Sequence, residues 1–121
     1  MQKERYLKNT IIDDLDDKMV FIGGARQVGK TTLAKEIIAK NFTHSTYFNW
    51  DYQPERKKII ASDLPGEVGL LIFDEIHKYK KWKNLIKGIY DTHKDKFKIL
   101  VTGSARLNIY RKSGDSLQGR Y

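Results

Sequence analysis

A chain of 121 residues, 40% hydrophobic and 31% charged, has the make-up of one soluble globular domain, which excludes a largely disordered protein. Twenty-three Lys and Arg against fifteen Asp and Glu leave a net charge of +8, so a polyanion such as nucleic acid is a candidate partner but not a required one. The lack of cysteine excludes a disulfide framework and a thiolate metal site, and the longest apolar run, Val68 to Phe73, is far below the roughly 20 residues a membrane-spanning helix needs.

The N-terminus, Met1-Gln2-Lys3-Glu4-Arg5, has no apolar signal region, and the expected location is cytoplasmic. Tyr6, Leu7, Ile11 and Leu15 recur at near-helical spacing and predict a short opening helix. It ends at the acidic cluster Asp13, Asp14, Asp16 and Asp17, which reads as a solvated turn. Met19-Val20-Phe21-Ile22 is a buried-strand pattern that breaks into Gly23-Gly24. Beyond Lys30 the period changes: Leu33, Ala34, Ile37 and Ile38 share one helical face, and the helix should close near Asn41. Thr46 to Trp50 suits a strand, and Pro54 followed by Glu55 to Ala61 suits a helix with proline in its first turn. Gly69 to Phe73 is a second continuous apolar strand. Trp82, Leu85, Ile86, Ile89 and Tyr90 mark an amphipathic helix, and Phe97 to Val101 is a further strand ending at Thr102-Gly103-Ser104. Strands alternating with helices imply parallel pairing through helical crossovers, hence an α/β fold whose sheet is covered on both faces. Ligands in such folds bind beyond the carboxyl ends of the strands.

Gly24-Ala25-Arg26-Gln27-Val28-Gly29-Lys30-Thr31 fits G-x-x-x-x-G-K-T and lies between a predicted strand and a predicted helix, the context a phosphate-binding loop requires. Gly24 and Gly29 let the backbone curl so that successive N–H groups converge on phosphate oxygens, and the helix start adds its unpaired N–H groups and positive dipole end. Lys30 is expected at the β- and γ-phosphates, the Thr31 hydroxyl on Mg²⁺, and Thr32 is a weaker candidate for the α-phosphate. The second strand ends in Asp74-Glu75. Alone, such a pair is a solvated turn. After four apolar residues and downstream of a phosphate loop, Asp74 reads as the support for Mg²⁺ and Glu75 as the group that orients or deprotonates the attacking water. Asp63-Leu64-Pro65-Gly66 spells D-x-x-G, a GTPase-like signature, but it precedes the apolar strand, and no N-K-x-D segment is present. ATP is therefore preferred to GTP.

Together these motifs resemble the AAA+ superfamily of ATPases, particularly prokaryotic and archaeal-type ATP-binding proteins with G-x-R-Q-V-G-K-T-T, an F-D-E-I strand and a later T-G-S. Here they stand as Gly24 to Thr32, Phe73-Asp74-Glu75-Ile76 and Thr102-Gly103-Ser104. The resemblance covers nearly the whole chain. It implies a three-layer sandwich of the P-loop NTPase type, with the Thr102 strand between the phosphate-loop strand and the Asp74 strand. That order brings Thr102, Gly103 or Ser104 near the γ-phosphate as a polar sensor, although a plain strand-ending turn has the same spelling. It also offers Arg120 as a phosphate contact, where an ordinary surface arginine is equally compatible. Relatives continue into a fifth strand and a helical lid, so residues 1–121 are expected to be one nucleotide-binding domain that stops before both.

Lys78, Lys80, Lys81, Lys83 and Lys87 interleave with Tyr79 and Trp82, a pattern that suits either a nucleic-acid clamp or, preferably, a helix with one apolar face and one solvated face. His44, His77 and His93 lack metal-ligand spacing, and Asp51 follows a strand at the ligand-binding end. Three functions compete: a Mg²⁺-dependent ATPase that couples hydrolysis to conformational change, a nucleotide switch that holds ATP or ADP for a protein or DNA partner, and a small-molecule P-loop kinase. Self-association is compatible with the first two. The third is disfavoured because Glu75 directly follows Asp74.

Overall fold

Five parallel strands form one sheet in the order β2-β3-β4-β1-β5, where β1 is Met19–Ile22, β2 Ser45–Asn49, β3 Gly69–Asp74, β4 Phe97–Thr102 and β5 Leu117–Gly119. The computed structural model describes residues 2–16, 18–23, 32–93, 95–103 and 117–119. As the motif order implies, β4 runs between β1 and β3.

Strand residues alternate between two cores, and each core has its own helices. On one face, α1 (Gln2–Leu15) contributes Ile11 and Leu15, and the helix α2 (Leu33–Ile38) contributes Ala34 and Ile38. They pack on Val20, Ile22, Leu70, Ile72 and Leu100. On the other, Ile59 of α3 (Gln53–Ile60) and Trp82, Ile86 and Ile89 of α4 (Trp82–His93) cover Phe21, Leu71, Phe73, Ile99 and Val101. A sheet buried on both faces explains why the strands read as unbroken apolar runs. The result is the three-layer α/β architecture expected from the alternation of elements.

Two local features differ from the sequence reading. The helix after residue 31 is wound as a wide π-type helix over Leu33–Ile38 and tightens into a 3₁₀ turn at Ala39–Asn41, its end falling where the apolar period stops. The sheet also does have a fifth strand: Leu117–Gly119 pairs parallel with β1, Met19 opposite Leu117. The expectation that the chain stops before this strand is corrected. Three residues with one apolar side chain are too short to show a two-residue period.

Candidate functional site

Parallel register aligns the carboxyl ends of four strands in a row. Asn49 pairs with Asp74, Asp74 with Thr102, and Thr102 with Ile22. The next residues after Ile22 are Gly23 and the predicted phosphate loop, so Asp74 stands two strands from the point where that loop begins. The loop itself, residues 24–31 with Lys30 and Thr31, lies outside the described residues, as do Ser104 and Arg120. Thr32, the first residue beyond the loop, is helical and exposed.

Asp74 is a carboxylate in a nearly dry setting, 7% exposed at the end of β3. Such a group is tolerated only when hydrogen-bonded. Thr102, fully buried on β4, donates its hydroxyl to Oδ1 at 2.9 Å. From the other flanking strand, the Tyr47 hydroxyl donates to Oδ2 at 2.5 Å. Burial, followed by this bond and the Asp74 charge, pushes the Tyr47 phenol well above its ordinary range, so it stays a donor. Over the Tyr47 ring, 4.3 Å from its centroid, lies the ammonium of Lys35 on α2. No sequence pattern pointed to Tyr47. Its side chain follows from β2–β3 register, which a single sequence does not display.

At Glu75 the chain turns sharply, with φ 63° and ψ 21°, the left-handed region that side chains other than glycine and asparagine rarely enter. Its N–H donates to the Thr102 carbonyl at 2.8 Å, which ties the turn to β4. The Glu75 carboxylate, mostly buried, faces His77 Nε2 at 3.6 Å and Lys78 Nζ at 3.7 Å. Lys78 also pairs with Asp51 at 2.9 Å, placing Asp51 at the exposed border of the same charge cluster. His77 Nδ1 is buried without a hydrogen-bond partner. Burial pushes the imidazole below its ordinary value, an effect that the Glu75 charge opposes. The imidazole is thus neutral near pH 7. Of the three sensor candidates, Thr102 has its hydroxyl on Asp74, and Gly103 gives its N–H to the Ile22 carbonyl at 3.1 Å.

The remaining candidates separate cleanly. Asp63 to Gly66 lies before the amino end of β3, the opposite edge of the sheet from Asp74, which removes the GTPase-like spelling from the site. Trp82 is buried and Tyr79 stacks on Trp50 with centroids 4.8 Å apart, so the aromatic rings of the lysine-rich stretch serve the core. Among the described residues no group of three or more His, Asp or Glu could hold a metal unaided. A lone carboxylate with hydroxyl neighbours suits a hard cation that keeps waters and takes other ligands from phosphate. None of the described helices is long and apolar enough to cross a membrane.

Comparison with known proteins agrees with this fold. No curated protein sequence matches the chain. Among solved structures, a DNA replication initiation factor superposes with a TM-score of 0.56 at 16% identity, over 98% of this chain and 42% of that one. The structure of C. elegans PCH-2 superposes with a TM-score of 0.52 at 14% identity, over 98% and 40% respectively. The chain therefore spans about two fifths of the length of these proteins. At such identities the likeness is one of fold. The model of the family described as an AAA domain matches residues 16–121, nearly the whole chain and every motif discussed above, and the chain belongs to that family.

Proposed function

We propose that the chain binds ATP with Mg²⁺ and hydrolyses it, and that the loss of the γ-phosphate drives a conformational change. The observation that carries this reading is the row of strand ends: a buried, doubly hydrogen-bonded Asp74, separated by β4 alone from the strand that feeds Gly24 to Thr31. A carboxylate held this way off solvent contributes little to folding by itself and makes sense as the support for a cation.

In this reading the backbone amides of residues 24–31 and the Lys30 ammonium hold the phosphates, and Thr31 and Asp74 hold Mg²⁺. Bound there, Mg²⁺ neutralises charge that develops on the phosphate oxygens. Glu75 takes a proton from the water whose oxygen attacks the γ-phosphorus, while the bond from that phosphorus to the β,γ-bridging oxygen breaks and ADP leaves. Ser104 supplies the polar contact to the γ-phosphate, and Thr102 acts through Asp74. The turn at Glu75, tied to Thr102 by its N–H, supports this division of labour by separating the two adjacent carboxylates.

The test pairs two variants. Lys30→Ala is expected to abolish ATP binding, and Glu75→Gln to retain binding while losing phosphate release. Unchanged release from Glu75→Gln removes Glu75 as the base, and unchanged binding by Lys30→Ala removes the loop as the phosphate site. One observation favours a second reading, a switch with little turnover: Glu75 lies against His77 and Lys78, which compete with an attacking water for its carboxylate. Wild-type protein that binds ATP but releases no more phosphate than Glu75→Gln establishes that reading instead. The +8 charge keeps a DNA partner in play for the switch, and DNA affinity that does not fall with salt removes it.

A further inference from the structure

Tyr47 has a position no apolar residue explains. It sits on β2 facing the core that α1 and α2 cover, where its register partner Ile72 is purely apolar, and phenylalanine would fill the same space. The hydroxyl instead reaches diagonally past its register partner Ile72 to the end of β3, where it meets Asp74 Oδ2. Thr102 meets Oδ1 from the opposite side.

The two bonds together do what neither does alone. The terminal torsion of an aspartate is soft, so one donor pins one oxygen and leaves the carboxylate plane free to swing. Donors on both oxygens, carried by the strands on either side, fix the plane as well. Tyr47 is itself braced: Lys35 lies over its ring, and Lys35 belongs to α2, the helix that begins directly after the predicted phosphate loop. A chain of contacts thus runs from that helix through the Lys35 ammonium and the phenol to the carboxylate.

We propose that Tyr47 is a positioning residue for Asp74, fixing the orientation in which that carboxylate receives the nucleotide's Mg²⁺ and linking it to the helix behind the phosphate loop. This assignment rests on the nucleotide-site reading above. Partners of metal-supporting carboxylates are worth roughly ten- to a hundredfold in metal affinity when removed. Tyr47→Phe removes the donor and keeps the ring, the packing and the strand.

The experiment is equilibrium binding of a fluorescent ADP analogue to the 121-residue chain, in EDTA and then along a Mg²⁺ titration. For Tyr47→Phe, affinity in EDTA is expected within about twofold of wild type, while the Mg²⁺ concentration at half-maximal effect rises roughly tenfold. Lys35→Met, at an exposed position, is expected to shift the same midpoint by roughly two- to fivefold, the worth of a cation over an aromatic ring. An unchanged midpoint in Tyr47→Phe overturns the proposal. So does an equal loss of affinity with and without Mg²⁺, which marks a merely structural role. Wild-type protein that binds no analogue in either condition overturns the nucleotide reading, and the assignment of Tyr47 falls with it.

Discussion

Replacing Thr102 with valine tests whether its hydroxyl exists for Asp74. The two side chains are nearly isosteric and both are β-branched, so strand preference and packing volume are kept while one donor disappears. The bond lost is a 2.9 Å contact to a carboxylate that is 7% exposed, and the hydroxyl lost is fully buried. A hydrogen bond to a charged group is worth about 1.5–3 kcal/mol, and exchanging a buried hydroxyl for a methyl returns roughly 1 kcal/mol. The net expectation is a loss of about 0.5–2 kcal/mol. With an unfolding entropy of about 2.1 cal/mol/K per residue, a chain of 121 residues then melts about 2–8 °C lower. Urea unfolding followed by tryptophan fluorescence suits the measurement, because both tryptophans, Trp50 and Trp82, are buried. Thr102→Ser keeps the donor and serves as the control for the methyl group. If the hydroxyl acts through Asp74, the valine penalty vanishes in an Asp74→Ala background, a coupling of about 0.5–2 kcal/mol. A valine variant as stable as wild type, or equally costly in both backgrounds, refutes the reasoning.

Two other positions carry equally direct expectations. A Cβ on Gly69 would stand 2.2 Å from the His44 carbonyl oxygen, which already accepts the Leu70 N–H, so Gly69→Ala must part the starts of β2 and β3. A loss of roughly 1–3 kcal/mol in urea unfolding is expected, and an unchanged midpoint counts against the strand contact. At Gly103 the added Cβ would stand 2.6 Å from His77 Nδ1 and drive the imidazole off Glu75. Gly103→Ala should therefore lose stability that His77→Ala restores, and an absence of rescue counts against the contact. Because burial holds the His77 imidazole below its ordinary value, the unfolded chain binds a proton that the folded chain resists. The His77 effect is thus nil above about pH 6.5, and stability falls as pH drops below it. His77→Gln is expected to flatten that acid-side slope, and parallel slopes for the two proteins discard the effect.

The parts of the fold legible in the sequence are those with long, regular apolar patterns. β1, β3 and β4 are buried on both faces and read as continuous runs, and α4 shows its face through Trp82, Ile86 and Ile89. The order β1-β4-β3 was legible for a different reason, the resemblance carried by three motifs in sequence. β5 was illegible because an edge strand needs little apolar surface, and Leu117 alone sets no period. Within the candidate site, Asp74 announced itself by ending an apolar strand. Tyr47 and His77 did not. Their importance comes from distances to Asp74, Glu75 and Gly103, across separations such as the 27 positions between Tyr47 and Asp74 that no local pattern spans.

The left-handed backbone at Glu75 has a consequence for how this protein would evolve or be engineered. Asparagine or glycine adopts that conformation with less strain, of order 1 kcal/mol or more, so thermal robustness pulls position 75 away from glutamate. A library selected for heat resistance alone should drift to those residues, whereas one selected for turnover should hold glutamate against the gradient. Disagreement between the two selections at a single site would then mark, without any ligand or assay of binding, where this fold gives up robustness to keep its chemistry.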